Sequence, residues 1–119
     1  MYSLKILLLE DCFYSIELKK LLSKKEFNKI QIEYINIKQI DKDLYKTSYI
    51  KTFPQVYMIK KHSDGKLLVG GYDSINKIID IVKHNSDKNM DKNMSILSKI
   101  YPLWATKAKL RLLELFTLI

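Results

Sequence analysis

The chain has 119 residues, 47% of them hydrophobic, a single cysteine and a formal net charge of +8. That length suits one domain whose core needs neither disulfide nor structural metal, and a lone cysteine excludes a disulfide framework within the chain and points to a reducing compartment. The basic excess is spread along the sequence and not gathered into a Lys/Arg run interleaved with aromatics, so it reads as a solvated surface suited to a small anionic ligand, and nucleic acid is not an expected partner.

Leu4-Lys5-Ile6-Leu7-Leu8-Leu9 predicts a short buried strand. Glu10 interrupts it early, no basic segment precedes an apolar stretch of the signal-peptide kind, and no apolar run approaches the ~20 residues of a membrane span. The expectation is a soluble cytoplasmic protein with no membrane partner. Downstream, Tyr14, Leu18, Leu21 and Leu22 share one helical face, which places Cys12 in a strand-to-helix turn. A lone cysteine is ordinarily an inert apolar residue. At a helix start, however, unpaired backbone N–H groups and the helix dipole favour a thiolate, against the repulsion of Glu10 and Asp11.

Residues 24–29 read as a polar connection, and Gln31 to Ile37 as a second strand, apolar on both faces toward its end. Leu44, Tyr45 and Ile50 predict a short helix over 41–50 with Asp41 at its N-cap. Gln55 to Lys60 predicts a third strand, and Asp64-Gly65 a tight hairpin turn into Lys66-Leu67-Leu68-Val69. After Gly70-Gly71, the residues Ile75, Ile78, Ile79 and Val82 repeat as i, i+3, i+4, i+7 on a helix from near Asp73. The order β-α-β-α-β-β-α predicts an α/β fold with a mixed four-stranded sheet, its first two strands parallel through a right-handed crossover.

Residues 85–94 repeat Asp-Lys-Asn-Met and read as a flexible linker. Beyond it Leu97, Ile100, Tyr101 and Trp104 have helical spacing, Pro102 ends or kinks that helix, and a tail helix is predicted over 103–118. The chain thus divides into a domain of residues 1–86 and a C-terminal helical extension of residues 87–119. With the core elements ending at His84, truncation after residue 86 is expected to leave the domain folded. The tail's Leu110, Leu112, Leu113, Leu115, Phe116, Leu118 and Ile119 require cover. That cover is the tail's own domain, a second copy through self-association, or an anionic membrane surface. Protein is favoured, because Glu114 interrupts the apolar stretch.

Three separated pieces agree in order and spacing: Cys12-Phe13-Tyr14-Ser15 after strand one, Lys51-Thr52-Phe53-Pro54-Gln55 before strand three, and Gly70-Gly71-Tyr72-Asp73 before the third helix. Together they resemble the C-x-x-S site, the T-V-P loop and the G-G-x-D motif of glutaredoxins, over about residues 4–84. The resemblance implies a thioredoxin-like fold, a cis Pro54, and thiol-disulfide exchange with glutathione as co-substrate. Cys12 is the implied nucleophile. The implied glutathione-binding residues are Tyr14, Lys51, Thr52, Phe53, Pro54, Gly71, Tyr72 and Asp73. In that scheme the Phe53 backbone pairs with the cysteinyl unit, Lys51 meets the glycine carboxylate, and Gly71 lets the backbone approach closely. The helix start at Tyr72-Asp73 holds the γ-glutamyl end, while Asp73 also reads as a plain N-cap.

Ser15 stands where the resolving cysteine would be, so only a monothiol route on glutathionylated or disulfide-containing proteins is open. Phe13 replaces the usual proline, and Leu9 stands where the family has Lys or Arg, with Lys42 as a candidate substitute. Two other functions stand beside this one. The first is a [2Fe-2S] carrier in which two chains and two glutathiones supply four thiolates; the second is a non-catalytic interaction module. His62 beside the hairpin turn and His84 at the end of the third helix, with a single cysteine and no second nearby ligand, do not predict a closed zinc site within one chain.

Overall fold

Strand β1 (Tyr2–Leu9) sends apolar side chains to both faces of a sheet, which places it in the interior: Leu4, Ile6 and Leu8 are buried on one face and Leu7 on the other. The computed structural model describes residues 2–84 and 90–117. After β1 come α1 (Phe13–Leu22), β2 (Ile32–Ile37), β3 (Gln55–Lys60), β4 (Lys66–Gly70), α2 (Tyr72–His84), α3 (Met90–Ile100) and α4 (Thr106–Phe116). The sheet order is β2-β1-β3-β4. β1 runs parallel to β2 from Leu4↔Ile32 to Leu9↔Ile37, and β3 is antiparallel to both β1 and β4. This is an α/β architecture on a mixed four-stranded sheet, as the element order predicts.

All four helices contribute to one core. Leu18 and Leu22 of α1, the predicted Ile75, Ile78, Ile79 and Val82 of α2, Leu97 of α3, and Leu112, Leu113, Leu115 and Phe116 of α4 form a single buried cluster with Leu4, Ile6, Leu8, Val56 and Met58. The opposite face carries a smaller cluster of Leu7, Ile37, Phe53 and Tyr57, with Leu9, Cys12, Ile35 and Leu68 packed at its margin. A helix expected over 41–50 is not there to cover it. Gln39–Tyr45 instead forms a 3-10 turn with no buried residue, and Leu44 is 80% exposed. The alternation of Asp41, Lys42 and Asp43 leaves too few apolar side chains for a covering stripe.

Four further features differ from expectation. Tyr14 is 53% exposed and does not share the buried face of Leu18 and Leu22. β3 and β4 are joined by residues 61–65 with His62 at φ 66°, a longer reversal than Asp64-Gly65 alone. Residues 85–89 of the expected linker lie outside the described residues, whereas 90–94 open α3, with Asn93 fully buried. α4 begins at Thr106 with Ala105 as N-cap, later than residue 103, while Leu118 and Ile119 lie outside the described residues.

The tail folds back on its own domain, so its apolar face is occupied by the sheet and α2. It is a layer of the same core as residues 1–86, not the separate extension expected from the polar stretch before it. The Tyr101 ring stacks on Trp104 at 4.2 Å, and its hydroxyl donates to the carbonyl of Val69 on β4. Val69 is the extra residue of a bulge: Val56 pairs with Gly70 and Tyr57 with Leu68. Among the described residues no helix is long and apolar enough to cross a membrane.

Candidate functional site

The C-terminal end of β1 turns sharply before α1. Glu10 N–H donates to Ile37 O at 2.8 Å, Asp11 takes a left-handed conformation at φ 56°, and Cys12 N–H donates back to Leu9 O at 3.3 Å. Cys12 is thereby the N-cap of α1, extended at φ −101° and ψ 121°, and its carbonyl accepts the Ile16 N–H at 3.0 Å. Its side chain does not cap the helix and stays partly exposed. The thiol therefore sits at the helix start, free of the capping role that a serine or aspartate would take there.

Ser15 holds this turn closed. Its hydroxyl oxygen accepts the Leu9 N–H at 3.0 Å, and the residue is 1% exposed. Ser15→Ala leaves that N–H without a partner and is expected to lower unfolding free energy by about 1–3 kcal/mol, measurable by urea denaturation. An unchanged midpoint would show that water replaces the hydroxyl.

A second element meets Cys12 from the start of β3. The Phe53-Pro54 peptide bond is cis, and the Phe53 carbonyl oxygen lies 3.8 Å from Cys12 Sγ. Gln55 anchors the approach to this bond: its Nε2 donates to Tyr45 O at 2.8 Å, and its Oε1 accepts the Tyr57 hydroxyl at 2.9 Å. Burial pushes the Tyr57 hydroxyl above its ordinary range, which keeps it a neutral donor.

The third element is the start of α2. A Cβ at Gly71 would meet the Pro54 carbonyl oxygen at 3.3 Å, so a bare backbone is what brings this turn against the cis-proline loop. At Gly70, φ is +139° and a Cβ would collide with Ser74. Between these elements lies a groove of about 360 Å³ lined by Tyr14, Thr52, Phe53, Gly71, Tyr72, Asp73 and Ser74. The Tyr14 and Tyr72 rings, 5.6 Å apart, form one wall. The first N–H groups of α2 have no intrahelical partner and lie at the groove's end.

Six of the expected binding residues thus converge: Tyr14, Thr52, Phe53, Gly71, Tyr72 and Asp73. Pro54 is buried behind Phe53, and Lys51 is exposed one residue beyond the lining. Ser74 lines the groove without having been foreseen; its place in the first turn of a helix that ends a groove was its only signal. Leu9 packs partly buried beside Cys12, and Lys42 lies on the 3-10 turn. His62 sits in the hairpin connection and His84 ends α2. Among the described residues no three His, Cys, Asp or Glu side chains gather into a metal cage. Cys12 offers one thiolate, so a [2Fe-2S] cluster would draw three of its four ligands from outside this chain.

Comparison with protein-family models, curated proteins and solved structures finds no match to this chain.

Proposed function

We propose that this chain has a thioredoxin-like fold and acts as a glutaredoxin-like thiol-disulfide oxidoreductase, using glutathione and Cys12 alone. The observation that carries the proposal is the meeting of three chain-distant pieces: Cys12 at a helix start, the Phe53 carbonyl beside a cis proline 3.8 Å from its sulfur, and a groove that Cys12 does not itself line, extending from Phe53 to the start of α2. The strand order and directions are compatible with such a fold and support the reading.

In the reaction, the Cys12 thiolate attacks the glutathione sulfur of a protein-glutathione mixed disulfide. A Cys12–glutathione disulfide forms, the original S–S bond breaks, and the substrate leaves as a thiolate that takes a proton from water. A second glutathione thiolate then attacks the glutathione sulfur of this adduct, releasing oxidised glutathione and restoring Cys12. In the net cycle one glutathione thiol is consumed per turnover: protein–glutathione mixed disulfide plus glutathione gives protein thiol plus oxidised glutathione. Glutathione lies along the groove with its cysteinyl unit against the Phe53 backbone and its γ-glutamyl carboxylate at the N–H groups of α2. Lys51 reaches the glycine carboxylate from outside the lining. The groove's volume falls in the range of small-ligand sites, roughly 300–1,000 Å³.

Incubation of the folded protein with oxidised glutathione is expected to place one glutathione on Cys12, read by mass spectrometry. A folded protein that takes no adduct, while the urea-unfolded chain takes one, would reject the reading.

A further inference from the structure

The C-terminal extension reaches the groove through Tyr101. The Tyr101 N–H donates to Leu97 O at 2.9 Å as a last turn of α3, Pro102 follows and stops the helix, and the Trp104 N–H returns to Tyr101 O at 3.2 Å. This turn stacks the two rings at 4.2 Å and 28°, which fixes the direction of the Tyr101 side chain. Its hydroxyl donates to the carbonyl of Val69, the residue that the bulge takes out of the regular ladder. The same hydroxyl hydrogen-bonds the Ser74 side chain, while burial pushes it above its ordinary range and keeps it a neutral donor.

Val69 and Ser74 stand on either side of Gly70-Gly71. Two glycines in succession leave the chain free to swing at this joint, and the joint sets the direction in which α2 starts. Ser74 lines the groove, and the N–H groups of Tyr72, Asp73 and Ser74 precede the first bond of the helix, from Ile75 N–H to Gly71 O at 3.2 Å. The Tyr101 hydroxyl thus ties the residue before the joint to the first turn after it. Ser15, Gln55 and Gln39, whose Nε2 donates to the Glu10 carbonyl, brace the other loops of the site from within the stretch that the glutaredoxin resemblance covers, and Tyr101 lies outside that stretch. We propose that Tyr101 is a positioning residue for glutathione: by bridging Val69 and Ser74 it fixes the start of α2, so that the free N–H groups there already face the γ-glutamyl carboxylate when the ligand arrives. This rests on the reading of the groove as a glutathione site and adds the C-terminal extension to that site. A cradle ordered in advance spares the ligand the cost of ordering it. The effect falls on recognition of the γ-glutamyl unit and not on the thiol, because Tyr101 bonds at the α2 end of the groove whereas Cys12 meets Phe53.

Tyr101→Phe in the full chain removes the hydroxyl and keeps the ring on Trp104. Two mixed disulfides of 2-mercaptoethanol serve as substrates, one with glutathione and one with cysteinylglycine, which lacks the γ-glutamyl unit. On the first, the variant is expected to raise KM about fivefold at unchanged kcat, the size of one lost hydrogen bond. On the second, its kcat/KM should equal that of the wild type. Alkylation of Cys12 by iodoacetamide, which does not use the groove, should keep its rate. Amide hydrogen exchange of the ligand-free protein reads the bridge itself: the Ile75 N–H should exchange about fivefold faster in Tyr101→Phe. The Ile16 N–H, which makes the matching first bond of α1 to Cys12 O at 3.0 Å, should exchange at the wild-type rate. Equal losses on both substrates, or an unchanged KM on the glutathione substrate, overturn the proposal. So does exchange that is unchanged at Ile75, or that quickens equally at Ile75 and Ile16, since the second result is a general loosening of the fold. A wild-type protein that turns over neither disulfide rejects the reading of the groove instead, and the exchange rates still decide whether Tyr101 holds the start of α2.

Discussion

Removing residues 87–119 is expected to abolish cooperative unfolding, leaving a chain that keeps some secondary structure but has no sharp thermal or urea transition. Leu97, Leu112, Leu113, Leu115 and Phe116 are 0–6% exposed and belong to the same cluster as the strand residues Leu4, Ile6 and Met58. Fully burying one such side chain contributes about 1.5–3 kcal/mol, so five together are on the order of 10 kcal/mol. The truncated chain no longer has to order the tail, and that entropy offsets part of the loss. What remains is still comparable with the whole stability of a domain, about 5–15 kcal/mol. The exposed underside of the sheet also adds an aggregation hazard. Circular dichroism during heating checks the result; a cooperative transition in residues 1–86 would show that β1 to α2 hold a core of their own.

The second large effect is chemical. Cys12→Ser is expected to remove all glutathione adduct formation and all turnover of a glutathione mixed disulfide, because Cys12 is the chain's only cysteine. A serine hydroxyl is not ionised near neutral pH and does not exchange with disulfides, so the loss should be complete and not graded. The fold should persist: Cys12 is only partly buried, and its backbone fixes the N-cap conformation without help from the sulfur. A normal melting curve with activity at the uncatalysed background is the expected pair of results. Residual turnover above background would place the reaction on another group.

Much of the sheet was legible in the sequence, because its strands are apolar on both faces and its α2 stripe repeats at helical period. β3 over Gln55–Lys60 and the buried Ile75, Ile78, Ile79 and Val82 follow from those patterns directly. Residues 41–50 were misread because spacing reports which side chains share a face, not whether anything covers that face; Leu44 has the spacing and lies in water. The stretch around Asn93 was misread for the converse reason. Its polar composition suggested a linker, yet the apolar residues that follow draw it into a helix against the core. At the site, the three motifs marked the convergence of Cys12, Phe53 and Gly71, since each motif carries a backbone requirement. The supporting hydrogen bonds of Ser15, Gln39 and Gln55 were not foreseen: they depend on which loop lies opposite, and a polar side chain alone does not disclose that.

Among the described residues β4 is an outer strand of the sheet, with one side of its backbone unpaired by any other strand. Such a margin invites a strand from a neighbouring molecule to add on, the first step toward ordered aggregation. Here the bulge at Val69 breaks the regular spacing of that margin, and the Tyr101 hydroxyl claims the Val69 carbonyl. The C-terminal region therefore occupies one carbonyl of this outer strand as well as completing the core, which makes the bulge a poor place for another chain to add a strand.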